Sequence, residues 1–519
     1  MIFVSVYLFL IETLSFFIPP IGKIGTLNWI IIWLIILLRS IFLFAKIIPE
    51  LFRKKLFFTL LLSVLTVVYI IVTIQSPKNL SGELTQEISC ILKHLKESPD
   101  LGYHKTCFLG YPARQFIVPA VPSFFVKNQF SLNFGGSIYF IIGLLYFISG
   151  SFALFRLTKL SDLVTATLVA LLFNYPFFIF LFSNFEQSFY PVSISLLIVG
   201  VLLNFKVKKN KIDLFILLFL STFLVQSYTT SLAVWFLLLC TIFYLAVKSK
   251  FNRKTILLIM ISLPTSIISF LISLTYRQDL RFQNSTSLNA NTITSTISQL
   301  TQYFIHGDSL YPFGTPIFYF FIFLTLFLII YANKKHLLFV FFWSLAVIFI
   351  SALSPGYASP PIPFSLHRSS IILPFIFLAF ILAFSKLSFK SQTNKFIVTI
   401  IVFIWISLSI FFGLSTIDSI YKSKSQDVHL PIIILLKKQY SHYLTEINIS
   451  NQDDIISSLN DKVKYFLPNL NILDSKIDSS DEITKPGYYL LKNDQILGVS
   501  STNLLSSPKS TYSIIFKKN

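Results

Sequence analysis

The residues best suited to chemistry lie in a hydrophilic stretch, residues 76–134, of an otherwise apolar chain. Glu83 and Glu87 stand four positions apart in it, so on a helix their carboxylates would share one face. The same stretch also carries His104 and Arg114. A carboxylate can accept the proton of an incoming hydroxyl, and fixed cations can stabilise a departing phosphate. These residue types therefore predict group transfer from a phosphate-linked donor at the membrane surface.

Two later groups have the same character. Glu186 lies in the short turn SNFEQS, and His367 and Arg368 follow the Pro-rich SPPIPF and precede an apolar run. Arginine meets phosphate with two parallel hydrogen bonds, which favours Arg368 as a phosphate ligand. Simpler roles stay open, namely a solvated turn residue for Glu186 and a membrane-interface anchor for Arg368. For His104 and Arg114 the alternatives are solvated loop residues or contacts to lipid headgroups.

These residues need a scaffold, and the composition indicates a membrane one. The 519-residue chain is 54% hydrophobic and 12% charged, whereas soluble domains carry about 25% charged residues. Apolar runs of about twenty residues recur up to residue 414, which predicts an all-α polytopic membrane protein. Lipid offers the backbone no hydrogen-bond partners, so the runs must be helices.

The strongly basic balance has a membrane explanation. The chain holds 42 Lys and Arg against 22 Asp and Glu, a net charge of +20. The excess lies mainly in short segments between the apolar runs, where cytoplasmic loops of membrane proteins carry it. The charge therefore does not predict nucleic-acid binding.

The apolar runs and the basic segments together predict about thirteen alternating spans. The positive-inside rule places the N-terminus in the cytoplasm and the long loop outside, on the same side as Glu186 and the His367–Arg368 pair. The polar break QSYTTS divides residues 212–247 into a hairpin of two helices. The other spans are expected at about 2–18, 28–45, 56–75, 135–155, 162–182, 190–205, 255–275, 315–332, 336–353, 370–385 and 396–414.

Three parts follow from this pattern. Residues 1–55 are N-terminal transmembrane helices, and residues 56–414 are the transmembrane core with its long first outer loop. Residues 415–519 alternate short apolar runs with Ser, Asn and Asp, which predicts a small soluble α/β domain on the extracytoplasmic side. No small-residue cleavage site follows the first span, so we expect a membrane anchor and a multi-pass plasma-membrane protein.

Two smaller features bear on the long loop. Glu12 lies within the first span, where an acid is a functional candidate by default, although we favour an interhelical hydrogen bond. Cys90 and Cys107 share the loop and could form a disulfide if it faces an oxidising compartment. Two free thiols are the alternative.

Four stretches resemble the GT-C glycosyltransferases, in particular the bacterial branch related to protein O-mannosyltransferases and the lipid A aminoarabinose transferase. They are NLSGELTQEISCIL, CFLGYPARQFIVPAVPSFFV with the later SLNFGG, LFSNFEQSFYP and LHRSSIILPF. The resemblance implies a GT-C fold and transfer of a sugar from a polyprenyl-phosphate carrier. The acceptor would be an extracytoplasmic cell-envelope glycan, lipid or protein.

The resemblance also implies roles for individual residues. Glu83 would be the catalytic acid or base, and Glu186 a second acid for the acceptor or a metal ion. His367 and Arg368 would contact the carrier phosphate. A divalent ion, Mg²⁺ or Mn²⁺, is the candidate cofactor, and the sequence names no metal ligands. Apart from the resemblance, the residue types of the long loop make Glu87, His104 and Arg114 further candidates for substrate contacts.

The chain departs from the family pattern, and this keeps two other functions open. Gly82 stands where the family's acidic pair has Asp, which is the best evidence for a non-catalytic relative that binds lipid or a partner. A transporter or flippase of a lipid-linked saccharide would need polar residues in mid-span and Gly- or Pro-interrupted helices. The nearly uncharged spans and only 16 Gly favour the transferase. The composition suggests a bacterial source with an AT-rich genome.

Overall fold

The computed structural model describes residues 9–15, 21–54, 82–97, 112–158, 190–227, 231–248 and 253–276, five strands between residues 446 and 517, and single residues or pairs elsewhere. Residues 9–15 are helical. The helices that follow are α1 (Gly22–Lys54), α2 (Gly82–Glu97), α3 (Ile117–Phe125), α4 (Gln129–Thr158), α5 (Tyr190–Lys208), α6 (Lys211–Gln226), α7 (Ser231–Lys248) and α8 (Arg253–Tyr276). A 3-10 turn, Ala113–Phe116, precedes α3.

Four of the described helices, α1, α4, α5 and α8, are long and apolar enough to cross a membrane. They coincide with spans expected from the sequence, and each helix is longer than its predicted span. The predicted hairpin is also confirmed, because α6 ends at Gln226 and α7 begins at Ser231. The protein is therefore a mostly helical membrane protein.

Several predicted spans cannot be compared with the structure. Those at 56–75, 162–182, 315–332, 336–353 and 396–414 lie outside the described residues, and within 370–385 only residues 374, 375 and 378 are described, as helix. The total of thirteen spans therefore stays a prediction.

Helices α4 and α5 pack closely because glycines line their contact. A Cβ atom on Gly200 would lie 2.5 Å from the backbone nitrogen of Phe147, and one on Gly143 would lie 2.7 Å from the carbonyl oxygen of Ser193. Small residues allow this approach, which is how helices gain contact in lipid, where hydrophobic association between them is weak.

An aromatic cluster joins α1 to α4 and α6. Trp33 packs against Tyr139 with ring centroids 4.7 Å apart and against Phe223 at 5.2 Å. Trp29 lies 5.4 Å from Phe219 and 5.6 Å from Phe223. Edge-to-face and tilted pairs of this kind add to the burial of large apolar surface. The cluster fixes α1 beside the helices that flank the candidate site.

The stretch predicted as the long outer loop is largely helical where the structure describes it. Helix α2, the 3-10 turn and α3 lie within residues 76–134, and α4 begins at Gln129, before the end of this stretch. The amide N–H of Ser131 donates to the Asn128 side chain at 2.8 Å, which is a helix-capping contact. Helix α2 is amphipathic and buries Ile88 and Ile91 against the rest of the protein.

The described C-terminal strands are β1 (Glu446–Ser450), β2 (Asn471–Ser475), β3 (Gly487–Lys492), β4 (Leu504–Ser506) and β5 (Tyr512–Lys517). They form a mixed sheet in the order β2-β1-β3-β5-β4. Strand β1 pairs in parallel with β2 and β3, whereas β3 and β4 pair antiparallel with β5. Strands are what the alternating tail predicts, while the 415–519 boundary and the side of the membrane stay predictions.

A hydrogen bond connects the C-terminal region to α3. The hydroxyl groups of Ser123 and Tyr465 lie 2.6 Å apart, and both side chains are buried. Burial raises the pKa of Tyr465 to about 12, and the hydrogen bond with Ser123 opposes the shift. The phenol is therefore neutral at physiological pH and can donate or accept in this contact.

Candidate functional site

Helix α2 carries the two glutamates singled out from the sequence. Glu83 lies in its first turn and Glu87 one turn later, about 6 Å along the helix axis. A carboxylate in the first turn is favoured by the positive end of the helix dipole. The side chain of Glu83 lies outside the described part, so its role stays a prediction.

The side chain of Glu87, on α2, is fully buried. Helix α2 packs against the 3-10 turn, α3 and α4, and the charge of Glu87 interacts with the phenol of Tyr190, the first residue of α5. Tyr190 in turn contacts the rings of Tyr139, at 5.2 Å, and Phe116, at 6.2 Å. The second glutamate of α2 therefore points to the place where the 3-10 turn meets α4 and α5.

Arg114 has a position that the sequence did not predict. Its side chain is fully buried, and Nη1 donates to Oε1 of Glu12 at 2.7 Å. Nε donates to the carbonyl oxygen of Leu101 at 2.6 Å, and Nη2 donates to Oγ of Ser15 at 3.1 Å. Gly25 gives the guanidinium room, because a Cβ there would lie 2.6 Å from Nη2. These hydrogen bonds connect the N-terminal helical residues to the 3-10 turn that contains Arg114.

This geometry changes two interpretations. A hydrogen bond from Arg114 of the 3-10 turn to Glu12 is observed, where the sequence favoured an interhelical hydrogen bond. The solvated or headgroup-facing alternatives for Arg114 are wrong, because the side chain is inaccessible to solvent. Contact between Arg114 and a carrier phosphate is not favoured either, since its three nitrogens already donate to protein oxygens. We assign Arg114 to positioning the segment that holds α2.

A disulfide bond joins Cys90 of α2 to Cys107, which resolves the choice left open by the sequence. Nearby, Nε2 of His94 lies 3.2 Å from the carbonyl oxygen of Thr106, and Thr106 forms a bridge with Pro112. The bond and these contacts attach the second half of α2 to the chain that leads into the 3-10 turn.

The described residues do not supply a good site for Mg²⁺ or Mn²⁺ at the disulfide. The ligand atoms of Cys90, His94 and Cys107 lie within 4.8 Å of one another, but the two sulfurs are bonded to each other. Sulfur and imidazole are also softer donors than these ions prefer, since both favour carboxylate oxygens. A divalent ion at Glu186 stays a prediction.

Four other predicted site residues lie outside the described part of the chain, namely His104, Glu186, His367 and Arg368. Sequence reasoning also missed two buried polar residues next to Glu87. Gln115 and Tyr190 are 0% and 1% exposed. The available signals were weak: Gln115 follows Arg114, and Tyr190 stands four residues after Glu186.

Removing the disulfide is expected to destabilise the protein. It closes a loop of 17 residues, and cross-links of that size contribute about 3 kcal/mol. The double variant Cys90→Ser, Cys107→Ser should lose about that free energy of unfolding in mixed detergent micelles without reductant. Cys240→Ser is the matched control, because Cys240 is free and exposed. Equal unfolding midpoints for the wild type and the double variant would contradict a structural role.

Comparison with known proteins identifies the fold. No family model matches the chain, and no curated protein matches it. A solved structure of ArnT from Cupriavidus metallidurans in the apo state is similar, with a TM-score of 0.50 and 10% identity over 88% of this chain and 98% of that one. A structure of the same protein bound to undecaprenyl phosphate has a TM-score of 0.48 and 10% identity, over 87% of this chain and 97% of that one.

ArnT is a GT-C lipid A aminoarabinose transferase. The chain therefore has a GT-C-like membrane glycosyltransferase fold. At 10% identity the likeness establishes the fold alone.

Proposed function

We propose that the protein is a membrane glycosyltransferase that moves a sugar from a polyprenyl-phosphate carrier to an extracytoplasmic acceptor. The observation that carries this proposal is the placement of α2. In a GT-C-like fold, this amphipathic helix bears Glu83 and Glu87 and packs over α4, a membrane span. Carboxylates at the border of an apolar domain suit a reaction between a lipid-borne donor and a polar acceptor.

The reaction would be a displacement at the anomeric carbon. Glu83 accepts the proton of the acceptor hydroxyl as its oxygen bonds to that carbon. The bond from the carbon to the phosphate oxygen breaks, and the lipid phosphate leaves with the bonding electrons. His367, Arg368 and His104 would stabilise the added negative charge on that phosphate. Glu186 would orient the acceptor or hold a divalent ion.

The carrier would lie against the apolar helices. A polyprenyl tail is a long hydrocarbon, so its favourable environment is lipid or the apolar surface of membrane spans. Exposed apolar side chains on α1 and α8, such as Leu38 and Leu271, provide such a surface. The acceptor is a cell-envelope glycan, lipid or protein, and no nucleic acid takes part.

The direct test is sugar transfer by the full chain in liposomes of bacterial lipid. Radiolabelled polyprenyl-phosphate sugars are supplied as donors, and a cell-envelope extract supplies the acceptors. We expect label to move from the lipid to the acceptor and free lipid phosphate to accumulate in equal amount. Label that crosses the bilayer while still attached to its lipid would indicate a flippase instead. A correctly inserted protein that binds these donors without turnover would indicate the non-catalytic relative suggested by Gly82.

A further inference from the structure

Three polar side chains meet in a buried cluster where α2, the 3-10 turn and α5 come together. Glu87 and Gln115 are 0% exposed and Tyr190 is 1% exposed. Within the part of the chain that the structure describes, the phenol oxygen of Tyr190 and both polar atoms of the Gln115 side chain have no hydrogen-bond partner. Buried polar groups are nearly always bonded, so such groups need an explanation.

Contacts show that this is one cluster. The charge of Glu87 interacts with the phenol of Tyr190. The ring of Tyr190 packs edge-on against Tyr139, at 5.2 Å, and the Tyr139 hydroxyl donates to the backbone oxygen of Gln115 at 2.5 Å. Phe116 adds an aromatic ring 6.2 Å from Tyr190. Tyr190 and the backbone of Gln115 therefore share Tyr139 as a neighbour, and α2, which carries Glu87, packs against the turn that holds Gln115.

We propose that Glu87, Gln115 and Tyr190 form a site for the ring hydroxyls of the donor sugar, an inference that rests on the proposed glycosyl transfer. A carboxylate accepts hydrogen bonds from hydroxyls, and an amide or a phenol can both donate and accept. The site does not suit a phosphate, because Glu87 would repel it. The nearby cation, Arg114, is already committed to Glu12.

The distance to the reacting atom also fits a sugar ring. Glu87 follows Glu83 by one helical turn, which is about 6 Å along the axis and comparable to the width of a pyranose. A ring bound by Glu87 and Tyr190 would therefore lie about one helical turn from Glu83. The three groups come from separate segments and are closed off from solvent here, so a sugar would reach them after α2 shifts away from the 3-10 turn and α4, against which it packs.

The matched substitutions are Tyr190→Phe and Tyr139→Phe. The two rings pack on each other, but only the Tyr139 hydroxyl has a partner in the described structure. Removing the Tyr190 hydroxyl should leave the unfolding temperature unchanged or higher, because a buried unbonded group is lost. Removing the Tyr139 hydroxyl should lower it. If Tyr190→Phe lowers the unfolding temperature as much as Tyr139→Phe does, the Tyr190 hydroxyl has a structural role and the proposed sugar site is refuted.

Binding provides the second readout and does not require catalysis. The probes are a polyprenyl-phosphate sugar and the same polyprenyl phosphate without sugar, titrated against purified full-length protein. We expect the wild type to bind the sugar-bearing lipid about tenfold more tightly than the bare lipid, the value of about one good hydrogen bond. Tyr190→Phe should reduce this ratio several-fold, because Glu87 and Gln115 remain.

The outcomes separate the site from the proposed function. A wild type that shows the sugar-dependent ratio but no turnover refutes the transferase and supports the sugar site. Turnover with no such ratio, or with a ratio that Tyr190→Phe leaves intact, refutes the site and keeps the transferase. An effect of Tyr190→Phe on the acceptor KM alone overturns the assignment to the donor.

Discussion

Replacing Arg114 with Leu is expected to destabilise the protein by about 3–5 kcal/mol, the range found when one partner of a buried ion pair is removed. The variant leaves Glu12 buried without its 2.7 Å contact to Nη1, and it removes the donor to the carbonyl oxygen of Leu101. Leu101 is also held by its own N–H, which donates to Thr26 of α1. The loss should therefore loosen the whole segment that supports α2.

The measurement is equilibrium unfolding in mixed micelles, with two comparisons. The double variant Glu12→Gln, Arg114→Met removes both charges and should recover much of the loss, because no uncompensated charge remains. Lys93→Ala is the control on the surface, where Lys93 and Glu97 are 3.8 Å apart and largely exposed. It should have no measurable effect, since exposed pairs contribute little. An Arg114→Leu variant as stable as Lys93→Ala would refute the anchoring role.

Glu83→Gln is expected to lower sugar turnover by about 10²–10⁴-fold, the usual contribution of a general base. Glutamine keeps the size of the side chain and removes its ability to accept a proton. Glu83 lies in the first turn of α2, where losing the charge costs about 0.3–1 kcal/mol of helix-dipole stabilisation, so folding should survive the change. Turnover of radiolabelled donor in liposomes, at saturating donor and acceptor, is the measurement.

Two further variants serve as comparisons for the turnover of Glu83→Gln. Glu97→Gln changes an exposed glutamate of the same helix and should leave turnover as in the wild type. Glu186→Gln tests the second proposed acid. Turnover that is unchanged in both Glu83→Gln and Glu186→Gln would place the chemistry elsewhere in the protein, even if the transferase function is correct.

The sequence by itself determined the membrane class and much of the helical order. Long apolar runs with few charges leave a chain no alternative to helices in lipid. The break between α6 and α7 was readable because Ser and Thr interrupt a local pattern. Strands in the tail followed from short apolar runs of the right length. These features depend on residues that are close together in the sequence, so they can be predicted from the sequence alone.

The site depended on tertiary structure. Arg114 and Glu12 are 102 residues apart, and no local pattern indicates that they pair. The sequence placed Glu83 and Glu87 on one face if they lay on a helix, but it did not define the bounds of α2, which is polar and buries only one face. Tyr190 lies beside Tyr139 at the contact between α4 and α5, which pack closely at their glycines. Long-range contacts determine which polar groups are buried together, and residues with no distinctive local pattern form a candidate site for this reason.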